Sequence, residues 1–223
     1  MKASTTNATE AMARRILSEY GETYAHEAGI GLRDTPAPLY RLLVLCVLLS
    51  APIRASTAVA AARELFAGRL RTPRRMADSR GQDRLDALGR AHYRRYDEST
   101  ATALGDGARF VLERWKGDLR RLRDEADGEP ARVRELLQEV PRIGPTGADI
   151  FCREVQAVWP RMRPFADARV REAAGSLGLP RTPRALAALV PVGDFARFAD
   201  GLVRVSLLTP DAADRLRAVP GDR

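Results

Sequence analysis

Apolar residues recur along this chain at the three- and four-residue spacing of an amphipathic helix, and no stretch alternates at the two-residue period of a half-buried strand. The pattern predicts an all-α protein, with helices over residues 8–26, 38–51, 55–68, 73–78, 83–95, 98–126, 130–140, 146–159, 167–177, 183–190 and 194–207. Local punctuation agrees. Thr72-Pro73 and Thr182-Pro183 each set a capping hydroxyl before a first-turn proline, whose missing N–H is one the turn would leave unpaired. Asp34-Thr35-Pro36 and Gly128-Glu129-Pro130 mark two further helix starts. The charged run 113–127 reads as the solvated face of one long helix with ion pairs inside it. The tail after Pro220 is expected to be disordered.

One stretch departs from this helical monotony. Leu136, Leu137 and Val140 end an apolar helix, Pro141 and Gly144 make a tight turn, and a second helix starts at once with Ala148, Phe151, Val155 and Trp159 on one stripe. Such a hairpin is expected to present the unpaired amides of Gly144, Thr146 and Gly147 at a helix N-terminus, where the backbone dipoles favour a phosphate. The bland alternative is a corner that only packs two helices. About twenty residues on, the loop Arg163-Pro164-Phe165-Ala166-Asp167 delivers one acid to the start of the next helix.

Composition narrows the class. A chain of 223 residues, 45% hydrophobic and 30% charged, can bury an ample core as one large domain or two small ones. The apolar run from Leu39 to Ala51 is interrupted by Arg41 and is too short to span a bilayer. No apolar signal core opens the chain, so no membrane partner and a cytoplasmic location are expected. Cys46 and Cys152 lie in apolar helical segments and read as buried free thiols. His26 and His92 have no metal-ligand spacing around them, and no phosphate-cradling loop of nucleotide-binding type occurs. The formal charge of +8 suits a polyanionic partner. Nucleotide bias explains it equally well, because all 37 basic residues except Lys2 and Lys116 are arginine.

The hairpin, the Pro-containing loop and Asp167 together resemble the helix-hairpin-helix, glycine/proline-rich loop and aspartate signature of the base-excision DNA glycosylases. The run Leu42 to Ala51, ending Leu-Ser-Ala, is similar to the second helix of endonuclease III and its relatives. Residues 71–79 and the stretch Ala87 to Arg95 also fall in that family's order. The likeness covers roughly residues 38 to 205. It implies a six-helix domain over 38–156 that contains the hairpin, and a second helical domain built from 1–37 plus 157–220. It further implies double-stranded DNA gripped between the two by a monomer associated with the nucleoid.

Within that resemblance, Asp167 matches the catalytic acid, which stabilises an oxocarbenium-like sugar while water displaces the base. Its alternative role is the N-cap of the helix that follows. The resemblance assigns DNA contacts to Arg142, Gly144, Thr146 and Gly147, and to Arg54, Arg90, His92 and Tyr93 in the loops at the family's wedge positions. Backbone carbonyls of Gln138, Val140 and Ile143 correspond to the monovalent-cation ligands of family hairpins.

Several departures bear on activity. Thr146 stands where bifunctional members carry the lysine that forms a Schiff base, so lyase chemistry is not expected. No cysteine follows Cys152, so the family's four-cysteine iron–sulfur motif is missing and no cofactor is expected. Cys46 takes the place of the second acid of adenine-excising relatives, Arg142 that of the first hairpin glycine, and Pro52 that of a wedge glutamine. Two readings result: a monofunctional DNA glycosylase that hydrolyses the bond to a flipped, damaged or mismatched base, and a catalytically silent helix-hairpin-helix DNA-binding protein.

Overall fold

The computed structural model describes residues 2–209 and 216; the tail after Pro220, expected to be disordered, lies outside them. Every regular element among the described residues is a helix. In chain order these are α1 (Lys2–Tyr20), α2 (Tyr24–Glu27), α3 (Pro36–Leu49), α4 (Ala55–Ala67), α5 (Pro73–Asp78), α6 (Gly81–Arg90) and α7 (Asp97–Trp115). They continue as α8 (Arg120–Glu125), α9 (Pro130–Leu137), α10 (Pro145–Val155), α11 (Ala168–Ser176), α12 (Pro183–Ala187) and α13 (Phe195–Val205). Short 3-10 turns lie at Pro160–Met162 and Val192–Asp194.

The chain divides into two compact units, one spanning Tyr24–Arg163 and one built from the described residues up to Thr23 and from Pro164 onward. The larger unit is organised around α3. Leu39, Leu42, Leu45, Cys46 and Leu48 have no exposed surface, so this helix is buried on nearly all sides, as an all-round apolar helix must be. α4, α7 and α10 pack on it, α5 and α6 pack on α7, and α9 pairs with α10. The Arg84 guanidinium is buried among α5, α6 and α7, where it donates to the carbonyls of Ala101, Met76 and Ser79. Gly105 makes room for it, since a Cβ there would lie 2.8 Å from Nη2.

A buried carboxylate ties α2 to α10. Glu154 has no exposed surface and accepts from the Tyr24 amide at 2.8 Å and the Ala25 amide at 3.2 Å, two of the first-turn donors that a helix cannot satisfy itself. Stranding such donors in the interior costs about 1–3 kcal/mol each. Glu154→Ala is therefore expected to lower the unfolding free energy by at least about 2 kcal/mol, read from a denaturant titration. A loss below about 0.5 kcal/mol would show that water replaces the carboxylate at no cost.

The smaller unit packs α1 and α11 against α13. α13 buries Phe195, Phe198, Leu202 and Val203, and Gly201 lets α1 approach closely: a Cβ there would lie 3.0 Å from Ile16 Cγ2. Arg197 and Arg204 donate to the carbonyls of Gly21 and Glu22, closing the end of α1.

The helix expected over 98–126 is two helices. Lys116 and Gly117 adopt φ of 56° and 82°, the Gly117 amide returns to the Val111 carbonyl at 3.0 Å, and Asp118 caps the restart by accepting from the Arg120 amide at 3.0 Å. The reversal buries Trp115, whose indole N–H donates to Glu125 at 3.1 Å, and Arg114 pairs with the same carboxylate. The charged run is thus a fold-back joined by ion pairs between two helices, and not one helix face. The helices expected over 8–26 and 83–95 start and stop earlier, ending at Tyr20 before Gly21 and at Arg90.

Candidate functional site

The hairpin is built from its apolar face outward. Val133, Leu136, Leu137, Val140 and Ile143 from its first half and Ala148, Phe151 and Val155 from its second are buried, and an Arg134–Asp149 ion pair joins α9 to α10. The Ile143 amide donates to the Val140 carbonyl at 3.0 Å, closing a four-residue turn with Pro141 second and Arg142 third. Proline presets the second position, and the third takes a positive φ. Arg142 sits there at φ 68°, in the conformation a glycine adopts without strain. The turn that the missing glycine would have supplied is made regardless, at a cost on the order of 1 kcal/mol.

Gly144 then caps α10 in an extended conformation (φ −92°, ψ −172°), and Pro145 occupies the first helical position. The amides of Thr146 and Gly147 open the first turn, where no intrahelical acceptor exists. Thr146 is exposed, whereas Gly147 is buried, where a Cβ would meet Ile143 Cδ1 at 3.3 Å and lie 3.7 Å from the Cys46 carbonyl. Gly147 is therefore also a contact point between α10 and α3, so a bulky residue there would disturb the core as well as any ligand. Gly144 has open space around a built Cβ. The Val140 carbonyl keeps one lone pair beyond its bond to Ile143, and the Gln138 side chain folds back to the Arg134 carbonyl at 2.9 Å. The backbone oxygens of Gln138, Val140 and Ile143 are hard donors compatible with a monovalent cation.

Within the larger unit the hairpin borders a cleft of about 400 Å³. Arg142, Gly144, Pro145, Thr146 and Gly147 form one wall; Val47, Ser50, Ala51 and Pro52 at the end of α3, with Tyr96 and Thr100 at the start of α7, complete it. Its polar groups are hydroxyls and one guanidinium. The Ser50 hydroxyl donates to the Val47 carbonyl at 2.8 Å, leaving its lone pairs as acceptors.

The remaining candidates scatter. Arg54 and His92 are exposed and do not line the cleft. Arg90 is exposed but paired with Glu64 at 2.7 Å, so much of its charge is already answered. Tyr93 is corrected: it is 1% exposed, with its hydroxyl 3.3 Å from Thr100 Oγ1, so it is a core residue holding the start of α7 and not a DNA contact. Burial also pushes its phenol pKa up. Tyr96 and Thr100 were missed. Tyr96 is a large, exposed aromatic at φ 66° beside the cleft, and the only sequence signal for it was an aromatic just before the acidic first turn of α7.

Asp167 belongs to the smaller unit, where it is the N-cap of α11 and accepts from the Val170 amide at 2.9 Å. It is 7% exposed, and the Arg171 Nε reaches its carbonyl at 3.4 Å. The capping role is real. It also fixes the carboxylate's orientation.

No family model matches this chain, and no curated protein matches it in sequence. Solved structures of endonuclease III share its fold. A non-covalent complex with DNA superposes with a TM-score of 0.56 at 15% identity, covering 91% of this chain and 84% of that one. A trapped covalent intermediate with DNA, described as an estranged-adenine complex, gives 0.54 at the same identity and coverage. The all-helical, endonuclease III-like fold implied by the sequence is the fold the chain adopts. Among the described residues no helix is long and apolar enough to cross a membrane.

Proposed function

We propose that this protein is a monofunctional DNA glycosylase of base-excision repair, acting as a monomer on double-stranded DNA within the nucleoid. The observation that carries the reading is the endonuclease III-like fold with an open helix N-terminus at Thr146 and Gly147 beside a cleft. The amides at the start of α10 take a backbone phosphate, with Arg54 adding charge. A monovalent cation on the Gln138, Val140 and Ile143 carbonyls would add positive charge at the same turn.

The reaction is a hydrolysis. The bond between C1′ and the base nitrogen breaks, its electron pair leaves with the base, and the sugar takes on oxocarbenium character. Asp167 stabilises that charge while water adds to C1′; one water proton ends on the departing base, leaving an abasic sugar. Thr146 offers a hydroxyl where an imine would need an amine, so the strand is left intact. Two cysteines cannot supply four thiolates, so the protein works without an iron–sulfur cluster.

The second reading, a silent DNA binder, draws support from Thr146 and Pro52, which stand where the resembled enzymes carry lysine and glutamine. One experiment separates the two. Duplexes bearing uracil, an alkylated purine, an oxidised base or a mismatch are incubated with purified protein and then treated with alkali. The expected result is strand breakage at one class of lesion, only after alkali, with no adduct trapped by borohydride. Release of no base from any duplex that the protein binds establishes the silent binder.

A further inference from the structure

Two residues lining the hairpin cleft, Tyr96 and Arg142, hold left-handed backbones at φ 66° and 68°. Such strain in non-glycine residues concentrates at sites of function. Both side chains are exposed, Tyr96 to 41%. Arg142 has no carboxylate partner among the described residues, and it reaches the Ser99 hydroxyl only at 3.4 Å. The Arg95 guanidinium lies 5.0 Å from the centre of the Tyr96 ring. No carboxylate lines the cleft; Asp97 and Glu98 begin α7 beside Tyr96 and are not part of its wall.

We propose that Tyr96 and Arg142 form a base-reading pair, the ring stacking on an extruded base and the guanidinium donating to its carbonyl oxygens, so that the cleft takes neutral, carbonyl-bearing bases and refuses cationic, alkylated ones. This rests on the glycosylase reading and names the substrate class for it. A base must leave the duplex to be cut, and a planar aromatic gives it a surface to stack on. A guanidinium only donates, so it matches an edge of acceptor oxygens. A base with a fixed positive charge would meet the Arg142 guanidinium, with no lining carboxylate to offset it. Arg95 takes one face of the Tyr96 ring and leaves the other for the base.

The test uses the full chain carrying Asp167→Asn, so that a bound base stays attached, and three duplexes of one sequence. These hold a single uracil, a single 7-methylguanine, or no lesion. With Arg142 present, the uracil duplex is expected to bind at least about tenfold tighter than the 7-methylguanine duplex. Arg142→Gly keeps the backbone conformation, since glycine adopts positive φ freely, and its melting temperature should hold or rise. Its preference should shrink to within about twofold. Tyr96→Asn, another residue that tolerates this backbone, should weaken both lesion complexes and leave their ratio unchanged. Preference for 7-methylguanine, or an undiminished uracil preference in Arg142→Gly, overturns the base-reading pair while the glycosylase reading stands. Equal affinity for all three duplexes overturns the glycosylase reading, and the pair with it.

Discussion

Asp167→Asn is expected to reduce base release at least about a hundredfold, the scale on which removing one preorganised electrostatic contact acts. The fold should not notice. The Asp167 Oδ1 that accepts from the Val170 amide has a counterpart in the asparagine amide oxygen, and asparagine caps helices as well as aspartate does. Duplex affinity should be equal or higher, because a negative charge has been removed. Asp167→Ala gives the contrast: it loses charge and cap together, so it should lose activity and also about 1 kcal/mol of stability. Single-turnover assays developed with alkali, paired with melting curves, distinguish these outcomes. If the asparagine variant releases base at the wild-type rate, Asp167 is a cap and nothing more.

Thr146→Glu should be the most damaging single change to DNA binding. Thr146 is exposed in the first turn of α10, where a carboxylate favours the helix dipole, so the variant should be as stable as the parent or slightly more so. The same carboxylate would occupy the place proposed for a phosphate. Affinity for every duplex, damaged or not, is therefore expected to fall about tenfold or more. For the parent, log affinity against log salt should have a slope of at least about −0.9, the contribution of one phosphate neutralised by Arg54. Arg90, already paired with Glu64, should add little. Salt-independent binding, or a Thr146→Glu protein that binds normally, would leave the hairpin a packing corner.

Much of this architecture could be read from particular residues. Pro141 and Gly144 announced the hairpin because one restricts and the other frees the backbone in a way few alternatives do. The Thr-Pro pairs placed α5 and α12 for the same reason. The break between α7 and α8 was hidden. Trp115, Leu119 and Leu122 keep helical spacing across it, so the apolar rhythm continues while the backbone reverses at Lys116. Tyr93 and Tyr96 lie three residues apart in one basic loop, yet the first is core and the second faces the cleft. Only the tertiary path of residues 91–96, with positive φ at His92 and Tyr96, separates them. Local sequence carries no signature of that path. The cleft is likewise assembled from α3, α7 and the hairpin, and no single stretch of chain contains it.

The smaller unit is made from both sides of the larger one, and this sets an order of events during synthesis. α1 leaves the ribosome before the larger unit, but α11 and α13 emerge only after Tyr24–Arg163 has been translated, on the order of ten seconds later. The larger unit, being contiguous, can complete its core in that interval. Ala13 and Ile16, fully buried in the finished unit, must meanwhile wait without their eventual neighbours on α13. The nascent chain is thus most exposed to misassociation, and most in need of a chaperone, at α1.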